Sequence, residues 1–182
     1  MNPADAWLQT YSGKQIFPLD PKPEQICIED IAHALAMICR FNGHTHSFYS
    51  VAEHSVFVAL NVPVEHRVAA LLHDASEAYL CDLPRPIKHN VAGYAEAEDR
   101  LMKVIAEKFK FSLPLAPCIK EADTRILLNE REQMLLPSEM EWPAFEDVEP
   151  LPGVQLRGWL PRNAEAAFLE VYYTLAEPVR VQ

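Results

Sequence analysis

An all-α fold is predicted by three features of the chain. Apolar residues recur at helical spacing in several separate stretches, fifteen prolines against only five glycines cut the chain into helical pieces, and Ser50-Val51-Ala52-Glu53 reads as a helix-start signature. A length of 182 residues predicts one domain spanning 1–182, large enough to bury an ordinary core.

About six helices follow in order. Residues 7–23 mix β-favouring residues with turn formers and predict a short hairpin or an ordered arm. In 28–40, Ile31, Ala34, Leu35 and Ile38 share one helical face, and Asn42-Gly43 supply the stop. A polar loop covers 42–49. Ser50 then accepts from the Glu53 amide and Glu53 reaches back, a capping box that starts a helix of about ten residues with His54 in its first turn. Pro63 opens the next helix, which carries Val68, Leu71, Leu72, Ala75 and Tyr79 towards a core, with Pro84 and Pro86 beyond its end. Residues 94–109 are apolar at Leu101, Val104, Ile105 and Phe109, and residues 117–135 turn Ile119, Ala122, Ile126 and Leu127 inward. Residues 136–160 have no clear period and read as a long ordered loop, and 164–177 close the chain as a helix with Pro161 at its start.

Charge and composition narrow the function classes. The formal net charge is −10, whereas a nucleic-acid-binding face is basic, so no polymer partner is expected. A small anionic substrate stays open, because local cations or a metal reverse the field inside one cleft. Cys27, Cys39, Cys81 and Cys118 include no C-x-x-C pair and read as reduced core thiols. MNPADAWLQ lacks the pattern of a signal peptide, and no apolar run approaches the roughly 18 residues of a membrane span. A cytoplasmic protein without a membrane partner is the expectation.

His73-Asp74-Ala75-Ser76-Glu77 follows the apolar run 68–72 and places three ionisable groups in five residues. On an α-helix, His73 and Asp74 project about 100° apart, and Glu77 lies one turn on. Acidic residues at the C-terminal end of a helix are electrostatically misplaced unless a cation offsets them. Asp82 falls just past the expected helix end. Taken alone, His54 reads as a structural histidine and Asp123 as a surface residue.

The ordered set His54, His73-Asp74 and Asp123 resembles the signature of the HD-domain metal-dependent phosphohydrolases. The flanks SVAEHS (50–55), LLHDASEAYLCDLPRPIK (71–88) and EADTR (121–125) are similar to those of bacterial 5′-deoxynucleotidases and of the compact phage-type enzymes that include dATP triphosphohydrolases. The likeness runs from about Trp7 to the last helix. The resemblance implies a compact HD-domain helical bundle, with His54, His73, Asp74 and Asp123 as ligands of one divalent metal ion. It implies that Glu77 activates or orients the attacking water, that Asp82 is a second acid needed for turnover, and that Arg40, at the end of the first core helix, contacts substrate. Lys88 falls in the segment that overlies the site in these enzymes, and Arg85 occupies the variable position between Pro84 and Pro86. The 19-residue interval from His54 to His73 favours the compact branch, hence a deoxynucleoside triphosphate such as dATP. A homo-oligomer is also implied.

Imidazole and carboxylate ligands suit a first-row transition ion and leave Zn2+, Mn2+, Co2+ and Fe2+ open. Phe41 and Trp7 are aromatic candidates for stacking on a base, with core packing the commoner role for either. Arg85, Lys88, Lys120 and Arg125 are the candidate phosphate contacts. Three alternatives stand beside the triphosphohydrolase: a 5′-deoxynucleotidase acting on monophosphates, a non-hydrolytic nucleotide- or metal-binding regulator, and a di-iron oxygenase. The last needs more ligands between the doublet and Asp123 than His89 provides.

Overall fold

A computed structural model describes residues 6–139, 142 and 147–176. Among them the regular structure is helical apart from one short hairpin, so the all-α expectation holds. The hairpin is there too: β1 (Leu8–Gln9) pairs antiparallel with β2 (Gln15–Ile16), Leu8 opposite Ile16. Asp30 ties it down by accepting from the Ser12 amide at 2.6 Å and the Ser12 hydroxyl at 2.8 Å.

Eight α-helices are present among the described residues, against about six expected. They are α1 (Ile28–Met37), α2 (Val51–Leu60), α3 (Arg67–Leu71), α4 (Glu77–Leu80), α5 (Arg85–Lys88), α6 (Tyr94–Phe109), α7 (Pro117–Met134) and α8 (Pro161–Ala176). The stretch expected as one helix from Pro63 to Tyr79 is divided. Residues 64–66 form a 3-10 turn, and α3 and α4 are joined by i→i−3 hydrogen bonds, from Ala75 N to Leu72 O (3.1 Å) and from Glu77 N to Asp74 O (3.0 Å). α5 is a further short helix within the Pro-rich segment.

α1 also ends earlier than the spacing predicts. Ile38 and Cys39 are extended, Arg40 opens a 3-10 turn over 40–43, and the strand bridge Cys39–Ser50 is closed by Arg40 N to Tyr49 O (2.9 Å) and Val51 N to Ile38 O (3.1 Å). Arg40 therefore leaves from a bridge strapped beside the start of α2, not from a helix end.

α8 packs against α1, α2 and α3, with Ala164 and Phe168 fully buried at the contact. Ile31 and Leu35 of α1, Leu101 and Ile105 of α6, and Ile126 of α7 complete this core. Each such side chain contributes about 1.5–3 kcal/mol on burial. The thiols differ from expectation: none is fully buried, and Cys81 is exposed. In the loop expected over 136–160, residues 140–141 and 143–146 lie outside the described residues, as does residue 177 of the last helix. No helix among the described residues is long and apolar enough to cross a membrane.

The capping box at α2 is half formed. The Ser50 hydroxyl accepts from the Glu53 amide at 3.1 Å, but the Glu53 carboxylate turns away from Ser50. It accepts instead from the backbone N–H groups of Arg157 (2.6 Å), Gly158 (3.1 Å) and Trp159 (2.6 Å). A fully buried carboxylate needs such donors, and these three pin the late loop beside His54. Gly158 is required there, because its φ is +59° and a Cβ would sit 3.0 Å from the Phe48 carbonyl oxygen.

Candidate metal centre

The break between α3 and α4 shapes the centre. With its i→i−3 bonds, this stretch approaches three residues per turn, which stacks Asp74 directly below Glu77. Both line one cavity of about 570 Å3. The Ala70 carbonyl is left facing His73, and it accepts from His73 Nδ1 at 2.7 Å.

His54, in the first turn of α2, is fully buried, and its Nδ1 donates to Glu130 Oε1 at 2.7 Å. With both Nδ1 atoms engaged, Nε2 is the ring atom that each imidazole turns to the centre, where its lone pair serves an ion once the nitrogen carries no proton. Those two Nε2 atoms face each other at 3.3 Å. Asp74 Oδ2 lies 3.6 Å from His54 Nε2 and 3.2 Å from His73 Nε2. Asp123 Oδ1, from α7, lies 3.4 and 3.8 Å from the same two nitrogens. Electron-rich atoms crowd this closely only around positive charge. His54, His73 and Asp123 thus form a group that can hold a metal ion. Asp74 stands outside that mutually close group, but its Oδ2 lies beside both histidine nitrogens.

The electrostatics agree. Burial acts to lower the His73 pKa, but Asp74 and Asp123 outweigh it and hold it well above the usual histidine value. Burial acts to raise Asp74 and Asp123, and the two imidazoles outweigh it and hold both carboxyls well below the usual range. The centre draws positive charge to itself.

Glu77 and Asp82 stand in the cavity wall beside this group. Burial, reinforced by Asp74 and Asp82, pushes the Glu77 carboxyl up to about 10, and its Oε2 has no hydrogen-bond partner. Burial also raises Asp82, with Asp74 adding to the effect. Asp82 enters the cavity because Cys81 turns the chain at φ 71°, ψ 155°, a conformation that is essentially glycine's. Tyr94 Oη donates to the Cys81 carbonyl at 2.6 Å and helps to hold the turn. Cys81→Gly is expected to stabilise the fold by about 1 kcal/mol, since relief of strain exceeds the added chain entropy of glycine. Urea unfolding measures it, and an unchanged or lower midpoint would contradict the strain.

Arg40, Phe41, Arg85 and Lys88 all line the cavity as well. Arg40 has a second task absent from the sequence reading. Its buried guanidinium donates from Nη2 to Glu130 Oε2 at 3.1 Å, while Nη1 sits 3.7 Å from Asp74 Oδ2. Its Nε lies 3.1 Å from Glu130 Oε1 without the alignment to donate. Phe41 and Asn42 have φ of 54° and 52°, a left-handed turn that sets the Phe41 ring at the cavity. Its neighbour there is Trp142, ring centroids 6.2 Å apart. Lys88 pairs with Glu98, and Arg85 and Lys120 reach Asp123 Oδ2 at 3.8 and 2.9 Å. Two candidates fall elsewhere. Trp7 is exposed beside the hairpin and does not line the cavity. Arg125 donates to the carbonyls of Glu149 (3.0 Å) and Pro150 (3.1 Å), so it fastens a loop.

Glu130 and Trp142 are the residues that sequence reasoning missed. Glu130 is fully buried and accepts from His54 Nδ1, Arg40 Nη2 and Tyr49 Oη, the last at 2.9 Å. It fixes the tautomer and orientation of a ligand histidine. A signal was available: Glu130 stands seven residues after Asp123, two helical turns along the same face of α7.

No family model matches the chain. It is 35% identical over 172 residues to uncharacterized protein YfdR of Escherichia coli K12, covering 94% of this chain and 97% of that protein. It is 37% identical over 187 residues to an uncharacterized protein of Rhodobacter capsulatus, covering 93% of this chain and 95% of that one. With near-complete coverage on both sides, the chain belongs to the same family as YfdR and its Rhodobacter relative.

Proposed function

We propose that the chain is a divalent-metal-dependent phosphohydrolase of HD-domain type that hydrolyses deoxynucleoside triphosphates, dATP among them, to nucleoside and triphosphate. One observation carries the reading: two imidazole lone pairs and two carboxylates converge on the wall of a cavity that is also lined by four basic side chains, Arg40, Arg85, Lys88 and Lys120. The lining acids are also four, Asp74, Glu77, Asp82 and Asp123, so a divalent ion tips the charge of the lining towards positive in a chain of net charge −10. The volume suits a small molecule, not a polymer. The resemblance of the His54, His73-Asp74 and Asp123 motif points the same way.

His54, His73, Asp74 and Asp123 would hold the ion, and the mixed nitrogen and oxygen donors suit Mn2+, Co2+, Fe2+ or Zn2+. When bound, such an ion supplies Lewis-acid chemistry, lowering the pKa of water beside it, polarising a phosphoryl oxygen and drawing Glu77 back to its carboxylate form. Glu77 then orients the attacking water and takes its proton, directly or through Asp82. The water oxygen bonds to the α-phosphorus, the P–O5′ bond breaks, and O5′ leaves as the nucleoside hydroxyl after gaining a proton. Arg40 and Lys88 offset the charge on the phosphoryl oxygens. Phe41 and Trp142 provide an apolar wall for the base.

The test is incubation of the purified protein with Mn2+, Co2+ or Zn2+ and panels of dNTPs and dNMPs, with the products resolved. Nucleoside plus triphosphate supports the proposal. Nucleoside plus orthophosphate from monophosphates alone replaces it with a 5′-deoxynucleotidase. Metal binding with no turnover of any nucleotide overturns the enzyme reading in favour of a regulator. Asp74→Ala is expected to lose both metal retention and turnover, checked by metal analysis and by the same assay.

A further inference from the structure

The reading of the cavity as a nucleotide site leaves one question of substrate class: what holds the phosphates beyond the first. Resting on that reading, we propose that Lys120 and Arg85 form a clamp for the terminal phosphates of a triphosphate, seated on the outer oxygen of Asp123.

Asp123 faces two ways. Its Oδ1 is turned to the nitrogens of His54 and His73, and its Oδ2 is turned to Lys120 Nζ at 2.9 Å and Arg85 Nη2 at 3.8 Å. The two cations therefore stand one carboxylate away from the donor set. The other basic residues of the cavity are engaged differently, Arg40 with buried Glu130 and Lys88 with Glu98. The side chains of Lys120 and Arg85 are 68% and 57% exposed. Their shared partner Asp123 is only 14% exposed, but the cationic ends open to solvent, where a phosphate reaches both.

α7 gives the clamp a direction. Lys120, Asp123, Leu127 and Arg131 stand at i, i+3, i+7 and i+11, one stripe along the helix and roughly 16 Å from first to last at 1.5 Å per residue. Lys120, Asp123 and Leu127 line the cavity, and the Arg131 guanidinium lies 5.5 Å from the ring centre of Trp142, which lines it too. Read from the start of α7, the wall runs cation, donor set, apolar side chain, aromatic pair. A nucleoside triphosphate has the same order: charged tail, reacting phosphorus, sugar, base. Its tail then falls on Lys120 and Arg85. Lys120 also occupies the first turn of α7, where the helix dipole disfavours a cation and favours an anion. A phosphate held there removes the mismatch.

Isothermal titration of the metal-loaded protein with inorganic tripolyphosphate and with orthophosphate, both in excess Mg2+ so that the polyphosphate does not strip the site, tests the clamp without turnover. The wild type is expected to bind tripolyphosphate at least about tenfold more tightly than orthophosphate. The double variant Lys120→Gln/Arg85→Gln is expected to lose that preference, and Lys120→Arg/Arg85→Lys to keep most of it. Both positions are exposed, and circular dichroism of each variant checks the fold. No preference in the wild type, or a preference that survives the double Gln variant, overturns the clamp. If nucleotides are hydrolysed but the Gln variant keeps the preference, the clamp fails and the phosphohydrolase reading stands. If the preference is lost in the Gln variant and no nucleotide is turned over, the clamp stands and the phosphohydrolase reading fails.

Discussion

Glu130→Ala is expected to lower the stability of the fold by about 3–5 kcal/mol and its metal affinity by roughly 10- to 100-fold. The carboxylate is fully buried and has three partners: Arg40, His54 and Tyr49. Removing it leaves the Arg40 guanidinium buried beside Asp74 without its main counter-charge, and removing one partner of a buried pair is costly in this way. It also releases the Nδ1 hydrogen of His54. That imidazole can then rotate or change tautomer, and its Nε2 lone pair is no longer held 3.3 Å from that of His73. Urea unfolding and metal analysis read the two effects separately. Glu130→Gln separates charge from shape: its carbonyl oxygen can still accept from His54, but it cannot neutralise Arg40. It should keep more metal affinity than stability. Equal stability in Glu130→Ala and the wild type would show that Arg40 finds other compensation.

The contrast between Asp123 and Glu130 shows where the sequence is legible. Asp123 stands out only through its motif, because in KEADTR it resembles any charged helix surface. Glu130 sits in LNEREQM, among charged residues again, and nothing local distinguishes the fully buried acid from its neighbour Glu132, which is exposed. Its partners Arg40, Tyr49 and His54 all come from distant segments, and the Arg40 contact, ninety positions away, depends on the bridge at Cys39 replacing the last turn of α1. Long amphipathic helices were readable because burial repeats along them: 94–109 is α6 to the residue. The division of 63–79 was not, because three and 3.6 residues per turn give the same apolar pattern over so short a run. Glu53 illustrates the same limit. Its spacing from Ser50 meets the capping-box rule, yet three backbone donors from 157–159 outcompete the local partner. In each case local spacing identified the chemical group, and a distant segment decided what it touches.

Glu77→Gln is expected to cut turnover by about 10²- to 10⁴-fold while the protein keeps its metal. Glutamine matches the shape of glutamic acid but cannot take a proton from water, and Glu77 is not among the groups whose donor atoms converge on His54 and His73. The same substitution has a second effect with the opposite sign. In the ion-free protein, burial and the nearby Asp74 and Asp82 push the Glu77 carboxyl up to about 10. An unfolded glutamate titrates near 4.3. The folded state therefore binds one more proton than the unfolded state between these values, and stability contributed at acid pH is lost as pH rises through that window. By pH 7 the loss from this group reaches up to about 3–4 kcal/mol. Glutamine carries no such charge and is spared it. Melting curves of both proteins in chelator from pH 4 to pH 8 should nearly coincide at the acid end and separate as pH rises, with the variant the more stable. Added Mn2+ should narrow the gap, because the ion favours the carboxylate form of Glu77. A variant that is more stable without metal, and far slower with it, is the signature of a carboxyl kept under strain for proton transfer. Parallel melting curves at every pH would mean that Glu77 is ionised in the free protein, and full activity in the variant would remove it from the reaction.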